Sequence, residues 1–205
     1  NNVFDETDDG EWITCNYLSW ADLAAYLDWA GLRPITELEF EKIGRGPNTP
    51  VVDEFGWGGT TIVGLTALSN TNQTNEVSNT TNANALYGNN LTSGPARVGI
   101  FATSISDRNA AGSSYYGVMD LTGNVWEQVI KIENSTGRSF TGTRGDGQLT
   151  SNGDADASSW PDYTGACKRG GGWLTIAQRS QLSSRYGAGL NGANRNAETG
   201  GRGAR

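Results

Sequence analysis

Helix-forming patterns are confined to the first quarter of this chain, and that distribution constrains its fold more than any other feature. After Gly46 the sequence is rich in Gly, Asn, Thr and Pro and contains only short apolar runs. The 29 glycines among 205 residues are typical of a chain built mostly from turns and irregular segments. The length suits one hydrophobic core. We therefore expect one loop-rich α+β domain over residues 1–205.

Two short helices are predicted near the N terminus. Ser19 and Asp22 have the spacing of a capping box and precede apolar residues at helical intervals, which predicts a helix over 20–30. Thr36 and Glu39 repeat the pattern and predict a second, shorter helix.

Strand signals are short and separated by polar segments. Residues 97–101 and 126–132 alternate apolar and polar side chains and predict strands. The Asn/Thr-rich segment 69–93 has too little apolar surface to pack, and we interpret it as a surface loop or insertion. Asp154 and Asp156 resemble part of a calcium loop, but they lack its Gly and distal Glu, and a solvated turn is favoured.

The charge distribution narrows the choice of partners. A net charge of −7 disfavours nucleic acid, and no apolar stretch is long enough for a membrane span. Residues 168–205 nevertheless carry seven Lys or Arg against one acid, whereas residues 1–167 carry 8 against 21. We expect the C-terminal arginines to pair with acids elsewhere in the fold, because Arg is the usual residue of buried ion pairs.

Histidine is absent, which disfavours most zinc, copper and non-haem iron enzymes and the nucleophiles that need an imidazole base. The two cysteines, Cys15 and Cys167, are too far apart for a CxxC motif. Their separation permits one long-range disulfide, and the sequence leaves open whether they pair.

Four segments together resemble the formylglycine-generating-enzyme (sulfatase-modifying-factor) family. The string GVMDLTGNVWE is the most specific of them, since Trp126 and Glu127 follow a tight Gly123-Asn124 turn. The resemblance implies a C-type lectin fold of the α+β class, loop-rich, with two N-terminal helices and small antiparallel sheets. The segments occur in the family's order: 18–46, 55–59, 94–128 and RGGGW at 169–173.

The same resemblance implies a structural calcium ion and argues against a copper site. Family members often hold calcium near the turn, which carries over to Asn124 and Glu127. The alternative is that Glu127 pairs with a C-terminal arginine such as Arg202. The copper-binding cysteines of the family's oxidases fall near Thr175 and Ser180, and hydroxyls cannot replace thiolates for Cu(I). We expect no copper and no oxidase activity.

The segment 169–205 has a second resemblance, to the variable region of proteins diversified by diversity-generating retroelements. Residues that look fixed alternate with short clusters that look interchangeable. Such elements mutate template adenines, so Asn codons give most residues but not Gln, Lys, Glu, Met or Trp; Gln178 and Glu198 must be fixed or come from other codons. The ligand-binding residues that this resemblance implies are Leu174, Thr175, Ile176, Gln178, Arg179, Tyr186, Gly187, Ala188, Gly189, Asn191 and Gly192.

The resemblance also implies which residues carry the binding surface. We expect the exchangeable positions to share one exposed face with Tyr186 as an aromatic anchor, while Trp173, Arg185, Arg195 and Arg202 hold the scaffold beneath it.

The expected function is binding of a protein or glycan receptor without catalysis, membrane insertion or nucleic-acid binding. Display on a virion or cell surface is the expected location. The alternatives are an oxidase of the formylglycine-generating type and an adhesion or structural module that is not diversified.

Overall fold

A computed structural model describes residue 6 and residues 10–91 and 94–205. Both predicted helices are confirmed. Helix α1 spans Trp20–Trp29, where the Ser19 hydroxyl accepts the Asp22 N–H at 3.2 Å and the Asp22 carboxylate accepts the Ser19 N–H at 2.8 Å. Helix α2 spans Glu37–Arg45 and begins with the same reciprocal bonding. Both helices therefore begin at their capping boxes.

The remaining regular elements are short. A one-turn helix α3 spans Ser135–Arg138, and three 3₁₀ turns span Tyr163–Gly165, Ala177–Ser180 and Tyr186–Gly189. The strands are β1 Arg33–Pro34, β2 Leu68–Ser69, β3 Val77–Ser78, β4 Trp126–Ile130, β5 Ala166–Arg169, β6 Thr199–Gly201 and β7 Gly203–Ala204. This mixture of helices and small sheets confirms the α+β class. In the part of the chain that the structure describes, no helix is long and apolar enough to span a membrane.

The main sheet has the order β5-β4-β6. Strand β4 pairs antiparallel with β5 and parallel with β6, whereas the β1–β7 and β2–β3 pairs are antiparallel. Every residue of β4 is buried, so the predicted strand over 126–132 is confirmed through Ile130. The sheet brings the C-terminal segment directly beside the GNVWE turn.

Helix α1 covers one side of this sheet. Its residues Trp20, Leu23 and Leu27 pack with Ile130 of β4 and Ala166 of β5 in one apolar cluster. The burial of so much aliphatic and aromatic surface is the dominant favourable contribution to folding here. Helix α2 contributes Phe40 to a second cluster around β4.

A buried arginine links α2 to β5. Arg169 is completely buried, and its guanidinium donates to Glu37 at 3.1 Å, to Glu41 at 2.7 Å and to the Leu182 carbonyl at 2.7 Å. The second carboxylate oxygen of Glu37 accepts the Ile132 N–H at 3.1 Å. Three separate parts of the chain thus depend on one side chain.

The expected pairing of C-terminal arginines with distant acids is confirmed for four of them. Besides Arg169, Arg185 pairs with Glu37, Arg195 with Asp22 and Arg202 with Glu127. The uneven charge distribution of the sequence is therefore largely neutralised within the fold.

The strand predicted over 97–101 is wrong. Residues 98–101 form turns, and Gly99 has a φ of +67° that a regular strand does not adopt. The Gly99 N–H donates to the Asp120 carboxylate at 2.8 Å instead of to a neighbouring strand. Ile100 and Phe101 are both buried, so their apolar character reflects a packed turn and not alternation.

The interpretation of 69–93 as a segment unable to pack is wrong for its second half. Ala83, Ala85 and Leu86 are buried in the apolar clusters of the domain, and Glu76 is buried where it accepts the Asn72 and Arg97 N–H groups. Small apolar residues among the asparagines are enough to anchor the segment. Residues 92–93 lie outside the described residues.

Cys15 and Cys167 do not form a disulfide. Cys15 is exposed and Cys167 is buried in β5. Burial, together with the nearby Glu37 carboxylate, raises the pKa of the Cys167 thiol to about 12. The buried thiol therefore stays protonated and packs as a small apolar group.

Arg169→Met should destabilise the protein by about 3 kcal/mol, because Glu37 stays buried with the half-exposed Arg185 as its remaining cation. The matched control is Arg195→Met, which removes an ion pair whose arginine side chain is 69% exposed and should therefore destabilise the protein much less. Urea unfolding of both variants measures the difference. Equal losses would contradict the role assigned to Arg169.

Candidate ligand-binding site

The RGGGW segment fixes where the C-terminal segment leaves the sheet. Gly171 has a φ of +76°, and a Cβ there would lie 2.0 Å from the Ser180 hydroxyl, so no other residue fits. Trp173 is buried, its backbone N–H donates to the Asn124 carbonyl at 2.8 Å, and its indole donates to the Ala197 carbonyl at 3.2 Å. The loop after Trp173 therefore starts from a fixed position.

Beyond this anchor, several large apolar side chains point to solvent. Leu174, Ile176 and Tyr186 are 41%, 53% and 50% exposed. They lie in the segment that the second resemblance singled out. Single exposed apolar residues are common on protein surfaces, and only their clustering around one site is informative.

A pocket of about 270 Å³ is lined by Leu174 and Tyr186 but not by Ile176. We call its exposed and half-exposed side chains the rim: Leu174, Arg179, Tyr186, Leu190 and Asn196. We call its buried and half-buried side chains the floor: Trp126, Lys168, Thr175, Glu198 and Thr199. Of the eleven predicted binding residues, the pocket includes four: Leu174, Thr175, Arg179 and Tyr186.

Tyr186 is held in place by the two groups that flank it. Its ring lies nearly parallel to that of Trp126, with an interplanar angle of 26° and centroids 6.2 Å apart. The Arg179 guanidinium carbon lies 3.7 Å from the Tyr186 ring centroid. Stacking and cation–π attraction therefore preorganise this exposed aromatic side chain before a ligand arrives.

The floor is organised by hydrogen bonds among its own side chains. The Thr175 hydroxyl donates to Glu198 at 3.1 Å and accepts the Gly172 N–H at 2.9 Å. Lys168 donates to the Thr199 hydroxyl at 2.9 Å, and burial lowers the pKa of its ammonium group. Most of these residues were not predicted from the sequence. One signal was available for Lys168, a lysine within the otherwise apolar start of β5.

Three of the predicted binding residues are buried, so the expectation that they lie on the exposed face is wrong for them. Thr175 is one of the floor residues of the pocket. A Cβ on Gly187 would lie 2.1 Å from the Lys168 carbonyl, and one on Gly192 would lie 2.0 Å from the Gln128 side chain. Both glycines allow close approach to the sheet, so they belong to the framework.

The other predicted positions lie at the surface beside the pocket. Gln178, Gly189 and Asn191 are exposed and Ala188 is half-buried. A Cβ on Gly189 would meet no atom within 4 Å. Gly189 can therefore accept a larger side chain without disturbing the packing beneath.

The predicted supporting residues divide into two kinds. Trp173 is buried, and Arg202 makes its ion pair against the buried Glu127. Arg185 and Arg195 also make ion pairs, but their side chains are 46% and 69% exposed. The expectation that all four lie beneath the binding face is therefore wrong for Arg185 and Arg195.

Asn124 and Glu127 do not fit a calcium site. The Asn124 amide oxygen accepts the Ala96 N–H at 3.0 Å, and its nitrogen donates to the Thr14 hydroxyl at 2.8 Å. Arg202 donates to Glu127 through Nε at 2.6 Å and pairs with its other oxygen through a terminal nitrogen. The structure thus contains a Glu127–Arg202 ion pair, which is the alternative that the sequence left open.

A different group of acids could hold a metal ion. The carboxylates of Asp28, Asp146 and Asp156 offer ligand atoms within 4.8 Å of one another. Asp28 is buried, and its two oxygens accept the N–H groups of Asp146, Asp156 and Ala157 at 2.9–3.2 Å. Asp156, which the sequence assigned to a solvated turn, is thereby tied to helix α1.

Arg202→Gln should destabilise the protein by about 3–5 kcal/mol near pH 7.5, because it leaves the Glu127 carboxylate buried without its cation. Burial already raises the pKa of Glu127, and Arg202 opposes that shift. Without Arg202 the folded state holds a proton that the unfolded state releases, so the loss should grow as the pH rises.

Urea unfolding at pH 5 and pH 8 measures this dependence. Adding Glu127→Gln to the variant should recover most of the loss. A loss of the same size at both pH values would show that the ion pair is not its source.

Comparisons with known proteins agree with the sequence resemblance. A family model described as "Sulfatase-modifying factor enzyme 1-like domain" matches residues 15–205, whereas a search of curated proteins finds no match. Among solved structures the chain is similar to "Treponema denticola variable protein 1", with a TM-score of 0.42 and 19% identity over 83% of this chain. It spans 46% of that chain. The family match covers nearly the whole sequence, and the chain therefore belongs to the sulfatase-modifying factor enzyme 1-like domain family, with the C-type lectin fold of that family.

Proposed function

We propose that this protein binds a ligand through the pocket and the exposed residues around it, and that a retroelement diversifies segment 169–205. One observation carries the proposal. The side chains of Leu174, Ile176 and Tyr186 are exposed, whereas Trp173, Trp126 and Lys168 are buried. A surface that must accept many sequences needs such a separation.

The ligand in this proposal is a receptor, of protein or glycan nature, on another cell or particle. Surface display on a virion or cell is part of the same proposal, because a diversified binding face is useful only where it meets external partners. The rim supports it, since a stacked tyrosine provides a large contact area at a low cost in conformational entropy.

The proposal does not include catalysis. Thr175 and Ser180, which the resemblance aligns with the copper-binding cysteines of the family's oxidases, are buried side chains, and Thr175 is hydrogen-bonded within the floor. Hydroxyls are poor ligands for Cu(I). Copper-dependent oxygen consumption with a cysteine-containing substrate peptide would contradict a binding-only function.

Simultaneous substitution of the exposed positions should leave the fold intact. Replacing Leu174, Ile176, Gly189 and Asn191 with serine should change stability by no more than about 0.5 kcal/mol per site, as for ordinary surface changes. Thermal or urea unfolding measures this. A loss of several kcal/mol would mean that these residues belong to the core.

A pair of glycines gives a matched control. Gly189→Ala places a methyl group in open space and should be nearly neutral, whereas Gly187→Ala places it against the Lys168 carbonyl and should cost about 1–3 kcal/mol. Equal effects would contradict the division between framework and exchangeable positions.

A display library that varies the rim and the exposed positions tests the binding function itself. We expect clones that bind unrelated target proteins and keep the parent's unfolding midpoint. The gene neighbourhood tests the diversification separately. A reverse transcriptase gene and a near-copy of the 3′ end beside this gene are expected, and absence of both would favour an adhesion module that is not diversified.

A further inference from the structure

Three cations of residues 168–205 make no ion pair among the described residues: Lys168, Arg179 and the C-terminal Arg205. Arg169, Arg185, Arg195 and Arg202 make ion pairs. Lys168 and Arg179 line the pocket. The fold therefore neutralises most of its C-terminal cations but leaves a pair of them at the proposed binding site.

Lys168 is the more informative of the two because it is buried. Its side chain is only 9% exposed, and its ammonium group makes one hydrogen bond, to Thr199 at 2.9 Å. An ammonium has three N–H groups, so two remain without an acceptor among the described residues. Burial lowers the pKa of this ammonium group, and the Glu198 carboxylate of the same pocket partly opposes that shift. A ligand carboxylate that reaches the ammonium directly would add an ion pair that the fold does not provide.

The charge of the pocket selects the kind of anion. Lys168 and Arg179 contribute two positive charges, and Glu198 contributes one negative charge. The pocket is thus a positive site on a protein with a net charge of −7. A singly charged anion balances it, whereas a dianion would be repelled by Glu198 and by the rest of the protein.

We propose that the pocket binds a carboxylate carried on an apolar or aromatic group, with Lys168 as its permanent cation. This inference rests on the proposed function, because it names what the same pocket holds. The Tyr186 ring and the Leu174 and Leu190 side chains provide the apolar contact. An acidic side chain within an apolar patch of a protein partner has this chemistry.

Under the proposed diversification, the identity of Lys168 stays the same while the rim residues vary. Lys168 precedes segment 169–205, and lysine is not among the residues that mutation of asparagine codons produces. Every diversified version of the protein therefore keeps the same buried cation, and the rim selects the surroundings of the carboxylate. The low pKa that burial gives Lys168 adds a further consequence, since a bound carboxylate favours its charged form.

Binding of three matched probes to the whole chain tests this inference. Benzoate and benzamide have nearly the same shape and differ in charge, and phenyl phosphate carries a second negative charge. Protein-detected NMR titration, followed at the amide signals of β5 and β6, gives the dissociation constants. Benzoate should bind at least about tenfold more tightly than benzamide and more tightly than phenyl phosphate, a tenfold ratio being equivalent to about 1.4 kcal/mol.

Variants assign the preference to Lys168. Lys168→Met removes the charge, keeps most of the volume and should abolish the difference between benzoate and benzamide. Lys168→Arg should retain part of it. Arg179→Gln should weaken benzoate binding but preserve its advantage over benzamide. If Lys168→Met fails to fold, the comparison of the three probes on the unmodified protein still decides the question.

The outcomes separate this inference from the proposed function. Equal binding of benzoate and benzamide, or binding of neither, would overturn the carboxylate site, and a diversified library that still binds its targets would leave the proposed function standing. A charge preference that survives in Lys168→Met would overturn the role of Lys168. Methyl glucuronide carries the same carboxylate on a polar ring, and tighter binding of this probe than of benzoate would overturn the apolar part of the proposal in favour of an acidic glycan.

Discussion

The buried Arg169 guanidinium is the interaction on which the rest of the structure depends. It joins helix α2, strand β5 and the loop carbonyl of Leu182 at a point that excludes water. In a chain with so little regular structure, few backbone ladders are available to hold distant segments together. A buried, hydrogen-bonded ion pair provides directional contacts that apolar packing lacks, and removal of one partner is strongly destabilising. The start of the C-terminal segment is therefore fixed more firmly than its loops.

Sequence patterns predicted the features whose contacts join residues only a few positions apart in the sequence. Both capping boxes specified their helices, because each box forms within one turn and needs no distant partner. Strand β4 was predictable from its alternation. The family resemblance extended these local signals to the whole fold. The strand predicted over 97–101 failed because Gly99 turns the chain toward Asp120, a contact from a distant part of the sequence.

The residues of the candidate site likewise divide into those that a local sequence pattern predicts and those whose position depends on contacts between distant parts of the chain. Exposure of Leu174 and Tyr186 followed from the alternation of fixed and exchangeable positions, and the structure places both on the rim. The burial of Gly187 and Gly192 could not be predicted, because it depends on how closely they approach Lys168 and Gln128 in the folded chain. The floor was missed for the same reason. Its residues come from three strands or their flanks and have no common motif.

If segment 169–205 is diversified as proposed, the pocket would let the surface keep some affinity for carboxylate-bearing partners in every variant. An ordinary rim residue contributes to binding only the free energy that its own side chain gains on contact. A random substitution at that position removes this contribution. The free-energy cost of desolvating a buried, incompletely paired cation arises when the protein folds. A carboxylate that binds later therefore gains electrostatic attraction, and the protein undergoes no second desolvation of the cation. Because Lys168 lies in β5 and contacts Thr199 of β6, its position is set by the sheet and not by the rim. Exchange of the rim can then alter which carboxylate-bearing surfaces are accepted while the attraction for the carboxylate itself stays constant.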